Sequence, residues 1–285
     1  MPAREEIKKR LRQADYKLLA QQLFNQSFDN LSSTQYTGLL KIADIYGSKY
    51  IQFYKLKEGQ DIRTITSNLN DRNYQPIFDV HQDLQVIGIS KTEESFTIHS
   101  QFFTSHEDWV PSPTNPNIKT RQTITTRRAM TIRKLPENNY LLLSIDPIGE
   151  GAAVARDIPG YLDQLAEIVQ LDFRDFFDIK EIDGAIHSLV TNGVLIPRTI
   201  RSREPNTNRE RSVIARAARD NIRDENIYQN TAAGDLDLES LRLYFHGAHR
   251  RKETVEIYGR TLLKIRTNAN KETTDELTTH IIQVL

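Results

Sequence analysis

No cysteine occurs in the 285 residues. That excludes disulfides, thiolate metal sites, iron–sulfur clusters and cysteine nucleophiles, and leaves any metal to His and carboxylates. No apolar run approaches the roughly 20 residues that cross a bilayer as a helix. The charged segment Met1 to Arg12 leads into an amphipathic pattern rather than a signal-peptide core, so the expected location is cytoplasmic with no membrane partner. Charge of one sign is not in excess either: 38 Lys and Arg balance 38 Asp and Glu, and bulk charge gives no reason to expect a polyanion. Walker, nucleophile-elbow and H-E-x-x-H motifs are missing, which weighs against an enzyme, and no motif asks for a cofactor.

What is there is segregated charge. Residues 198–223 hold eight Arg against three acids, residues 118–134 hold six Lys or Arg and no acid, and residues 157–183 hold eight acids against two bases. Written as a helix, Arg209 to Arg223 carries Arg209, Arg216, Arg219 and Arg223 on one face and Ile214, Ala217, Ala218 and Ile222 on the other. The preceding loop adds Arg198, Arg201 and Arg203 among Ser, Pro, Asn and Thr, giving a cationic arm joined to a cationic helix. Pairing with the acidic segment is the competing use of these side chains, through Asp172, Asp175, Asp178 and Glu181.

The order of patterns predicts an α+β protein in three segments. Residues 1–75 read as a helical unit: Ile7, Leu11, Leu18, Leu19 and Leu23 recur at helical spacing, and Ser32 with Gln35 forms a capping box before Tyr36, Leu39, Leu40, Ile42 and Ile45, with Gly47 at the stop. Tyr50 to Leu69 fits either a strand or a helix. Residues 76–150 read as an antiparallel meander through Gln85–Ile89, Ser95–Phe103, Thr120–Lys134 and Tyr140–Asp146, with Trp109 at the mouth of the Pro-rich loop Pro111 to Asn117. Residues 151–285 read as an α+β unit: helices over 157–170 and 180–192, Gly193 as a stop, an extended Val194–Ile200, a hairpin Leu236–Phe245 with Thr254–Arg266, and a last helix capped by Thr273 and Glu276. No internal repeat is visible.

Several constellations bear on chemistry. Alternation along Lys119 to Lys134 places Lys119, Arg121, Thr123, Thr125, Arg127, Thr131 and Arg133 on one side, a cationic, hydroxyl-rich face suited to phosphate oxygens or, equally, to a solvated edge. Lys180 to Ala215 also fits the helix, strand, wing, strand order of a winged-helix domain, which competes with the Arg helix for Arg209 to Ile214. His246, His249, Glu253 and Glu256 are ligand types at poor spacing for a shared metal, and no metal site is expected. Arg242 and His249 formally fit an Arg-spacer-His ribonuclease pattern, but Leu241, Leu243 and Phe245 alternate as a strand. Gly149-Glu150-Gly151 departs from a dinucleotide turn at Val154, and Asp178 with Lys180 gives the end of a D-x-K nuclease core whose other acids, Asp163 and Glu167, fall on a helix.

The function expected from these residues is non-enzymatic binding of DNA or RNA through its backbone, or a scaffold role. The expected contacts are Arg201, Arg203, Arg209, Arg216, Arg219 and Arg223, with Lys119, Arg121, Arg127 and Arg133 in support. A metal-dependent nuclease or related phosphodiester enzyme is the rival. A subunit of a larger assembly, meeting an acidic partner through the Arg helix or forming a homo-oligomer, is the third reading.

Overall fold

A computed structural model describes residues 2–69, 83–112, 114, 115, 117–148, 151–205, 209–214, 222, 225–234, 236–246, 252–266 and 271–285. It is an α+β structure with eight α-helices and eleven strands among those residues. Three helices come first, α1 (Pro2–Arg10), α2 (Gln13–Phe24) and α3 (Ser33–Ala43). Ser32 and Gln35 form the reciprocal capping box that the sequence predicts, and Gly47, at φ +95°, follows the end of α3. A side chain there would strike the Arg10 carbonyl, so Gly47 serves both the left-handed turn and the close approach of α1.

Tyr50 to Leu69 resolves into a strand, β1 (Lys49–Leu56), and a helix, α4 (Ile62–Asn68). The expected meander follows as β2 (Gln85–Lys91), β3 (Phe96–Pro111), β4 (Lys119–Lys134) and β5 (Tyr140–Ile145), then α5 (Gly151–Val169). The chain continues through β6 (Phe177–Ile179), α6 (Asp183–Thr191), β7 (Leu195–Arg203), β8 (Glu210–Ile214) and α7 (Asn226–Ala232). It closes with β9 (Asp237–His246), β10 (Lys252–Tyr258), β11 (Leu262–Ile265) and α8 (Lys271–Val284). The extended run Thr254–Arg266 is two strands, because Gly259 turns at φ +57°. The last helix starts at Lys271, so Thr273 lies inside it, buried, and is not its cap.

The three segments share one antiparallel sheet, in the order β2-β3-β4-β5-β1-β11-β10-β9-β7-β8, with β6 paired to β1. β1, from the nominally helical first segment, is the strand that joins the other two. The sheet also contains a repeat of form invisible in the sequence. Strand, helix, four strands and helix occur as β1-α4-β2-β3-β4-β5-α5, and again as β6-α6-β7-β9-β10-β11-α8 with β8 and α7 inserted after β7.

Alternation along β1 divides the core between two faces. Tyr50 and Tyr54 enter a core with β2 to β5, α4 and α5. Ile51 and Phe53, one residue out of phase, enter a second with β7, β9, β10, β11, α6, α7 and α8. The helices α1 to α3 have a small core of their own. They lie over the side of β2 to β5 opposite α5, where Asp44, at the end of α3, meets Arg127 of β4 and Lys41 stands over Gly88 of β2.

His99 of β3 sits under this helical layer, 6% exposed, with its Nδ1 unpartnered. Burial, only partly opposed by Asp44, pushes its pKa down to about 4. The unfolded chain therefore takes up a proton between pH 6.5 and about 4 that the folded chain does not, and stability falls as pH drops through that window. The loss expected for this residue is on the order of 3 kcal/mol, and His187, also lowered by burial, adds to it in the same direction. Urea titrations across that pH range check it: His99→Gln is expected to flatten most of the slope, and an unchanged slope contradicts the assignment.

Candidate nucleic-acid interface

The side of β7, β9, β10 and β11 that turns away from α6 to α8 is set by alternation. Leu241, Leu243, Val255, Ile257, Leu263 and Ile265 point into the core, so Arg242, Tyr244, Glu256, Tyr258 and Lys264 point out on the other side. Register then aligns Thr199, Arg242, Glu256, Lys264 and Tyr50 in one row across five strands, and Arg201, Ser240 and Tyr258 in the next. Arg266, two residues past Lys264, lies on the same side.

The row is ordered by rings and one carboxylate. Glu256, 4% exposed, accepts from Arg242 Nε at 2.7 Å, from the Tyr258 hydroxyl at 2.7 Å and from Arg266. Burial alone would raise the Glu256 carboxyl; these hydrogen bonds outweigh it and hold the group below its ordinary value. Burial and the Glu256 bond push the Tyr258 hydroxyl up. The Lys264 ammonium donates to the Tyr50 hydroxyl at 2.9 Å and lies 4.7 Å from that ring's centre. Arg198 stands 5.4 Å over the ring of Tyr244. Arg242 and Arg266 share a single carboxylate, yet each side chain keeps 41% of its exposure. Arg201 is exposed.

The residues expected to bind are distributed unevenly. Arg201 belongs to this face. Arg203, at its outer margin, pairs with Glu239, and Arg209 is exposed just before β8. The Arg helix is overturned at its start: Glu210 to Ile214 is a strand paired with β7, because alternation there meets an open sheet edge, and Arg216, Arg219 and Arg223 lie outside the described residues. The paired β7 and β8 thus match the two strands of the competing reading. β7 itself belongs to the large sheet, beside β9.

The cationic strand divides in two. Beyond Thr104 and Thr126, β3 and β4 run on as a two-stranded arm exposed on both sides, carrying Lys119, Arg121 paired with Glu107, and Trp109 at 61% exposure. Arg127 is a correction. It is buried, with both terminal nitrogens on Asp44 at 3.0 and 2.9 Å and its Nε on Gln101 at 2.7 Å, because the helical layer covers the face that alternation leaves free. Arg133 is also largely covered, 5.7 Å over the Tyr46 ring and 3.9 Å from Asp275. The arm is separated from β11 by β5 and β1 in the strand order, so the two cationic segments do not merge.

Arg242, Lys264 and Arg266 are not among the expected contacts, and the expected cationic loop is corrected: Arg198, Arg201 and Arg203 lie on strand β7, with Arg198 buried. Period-two alternation in β9, β10 and β11 carries the sequence signal for the first three, since residues between the apolar positions face the other way. No three metal-ligating side chains come together among the described residues. Asp163 and Asp172 are both held by Arg174, and Asp178 lies 3.7 Å from Lys57. His249, Gly149 and Glu150 lie outside the described residues. No family model matches the sequence, and no curated protein matches it.

The contrast between Arg127 and Arg121 is measurable. Arg127→Met leaves Asp44 with one guanidinium in a buried setting and is expected to cost about 3–5 kcal/mol of unfolding free energy. Arg121→Met on the arm is expected to stay within about 0.5 kcal/mol of the parent. Denaturant titrations of the two variants check this, and equal losses contradict it.

Proposed function

We propose that the protein binds nucleic acid through its sugar-phosphate backbone, without reading base sequence, on the face built by β7, β9, β10 and β11. The observation carrying the reading is the grouping of Arg201, Arg242, Lys264 and Arg266 on one side of these strands, where Arg242 and Arg266 share the Glu256 carboxylate and Arg198 is buried against the Tyr244 ring. Guanidinium groups present paired donors that match two phosphate oxygens, and the ring contact of Lys264 fixes that cation at little further entropic cost. Thr199, Ser240 and Thr254 add hydroxyls on the same side. Such contacts position a partner without discriminating bases.

Neutralising about four phosphates releases condensed counterions, so log K is expected to fall with log salt at a slope between about −3 and −4. Arg201→Ala, Arg242→Ala and Arg266→Ala are each expected to weaken binding roughly fivefold for every sequence tested and to reduce the slope by about one. Lys119→Ala on the arm serves as the unaffected control. Fluorescence anisotropy over a salt series reads all of this. Salt-independent or absent binding favours a subunit of a larger assembly, and metal-dependent degradation of the probe favours a phosphodiester enzyme.

A further inference from the structure

Where β5 ends and the β3–β4 arm leaves the sheet, a cleft of about 240 Å³ opens between α1 and β4, lined among others by Lys9, Arg10, Ser48, Thr126, Arg127 and Arg128. Its floor is a closed set of ion pairs. Asp146 accepts from Arg10, Lys49 and the Ala129 amide, the last at 2.7 Å, and Asp44 is held by the fork of Arg127. Glu6 is taken by Lys9 at 3.1 Å and Arg10 at 3.6 Å. Every carboxylate lining the cleft is therefore occupied.

Arg128 is left over. It shares a side of β4 with Thr126, is half-buried, and donates from Nε to the Thr104 hydroxyl at 3.2 Å, with no carboxylate within 4.0 Å of its guanidinium among the described residues. A guanidinium partly withdrawn from water and without a counter-charge is unfavourable. Burial lowers its pKa, and Asp146 only partly compensates. An anion in the cleft would relieve that imbalance. The terminal nitrogens of Arg128 offer a fork, the Thr126 hydroxyl stands on the same side of the strand, and Lys9, with 65% of its side chain exposed, closes the rim. The volume, several times that of a water molecule, admits a tetrahedral oxyanion.

We infer that this cleft binds a phosphate group, held by Arg128, Thr126 and Lys9. The inference does not depend on the proposed use of the β7–β11 face. Its source is either free phosphate or a phosphate monoester on a larger molecule.

The test is calorimetric titration and thermal unfolding of the full chain with inorganic phosphate, against chloride at matched ionic strength. Phosphate at ten times its Kd is expected to raise Tm by about 3 °C, with no shift from chloride. Arg128→Met is expected to weaken phosphate at least tenfold and Arg128→Lys about threefold, while Arg121→Met, which removes the same charge from the arm, changes nothing. Lys9→Met keeps the fold readable if Arg128→Met does not, since Lys9 is at the rim; its expected loss is about threefold with the phosphate-free Tm unchanged. A nucleoside monophosphate that displaces inorganic phosphate identifies a monoester as the source, whereas failure to displace it identifies the free ion. Equal responses to phosphate and chloride, or unchanged affinity in Arg128→Met and Lys9→Met, overturn the inference.

Discussion

Two carboxylates hold the helical layer to the sheet, and much of the structure follows from how they are neutralised. Asp44 stands at the C-terminal end of α3, where the helix dipole disfavours an anion. Asp146 stands just past β5, buried at the edge of β4. Burial would raise both carboxyls, but Arg127 and Arg10 on the first, and Arg10 and Lys49 on the second, outweigh it and hold both below the usual carboxylate value. Arg10 belongs to α1, Lys49 to β1 and Arg127 to β4, so one network fixes the relative position of three elements far apart in sequence. An apolar contact of the same area would hold the layer without specifying its angle. A network of this kind is penalised by any displacement that leaves one charge alone.

The same network explains why part of the chain was legible in the sequence and part was not. Alternation located all four meander strands, and the Ser32–Gln35 box located α3, because both signals are local. Arg127 has the same local pattern as Arg121, in phase on one strand, and differs only in what packs over it. No residue near 127 announces a helix arriving from the first 44 positions. Glu210 to Ile214 failed for another reason. Five residues of mixed polarity fit a helical wheel as well as an alternating strand, and an unpaired β7 edge, visible only in three dimensions, decides between them. The outward row of β9, β10 and β11 is legible in principle, since its apolar neighbours carry the hairpin pattern.

Charge on this neutral molecule is thus sorted by depth. Below the helical layer, acids and bases are closely matched around Asp44 and Asp146. On the side of β7 to β11 that turns away from α6 to α8, Arg242 and Arg266 share Glu256, with Arg201 and Lys264 beside them. At the base of the arm, Arg128 has no carboxylate within 4.0 Å among the described residues. Zero net charge is compatible with local positive fields because the balancing acids, Asp163, Asp172 and Asp178 among them, lie on α5, beside a 3-10 turn and on β6, where bases of their own engage them. A sheet suits such sorting, since adjacent residues on each strand address environments that share no solvent.

The arm of β3 and β4 has a geometric corollary. Past Thr104 and Thr126 its ladder, roughly 24 Å long if each pair advances about 3.4 Å, leans on no other described strand. Lengthening or shortening it by two residues on each side would preserve which side chains face which way, leaving the root of the sheet undisturbed. Losing a single residue from one strand would instead turn the distal side chains of that strand to the other face and break its register with the partner. The reach of this projection is therefore free to change over evolutionary time, but only in even steps.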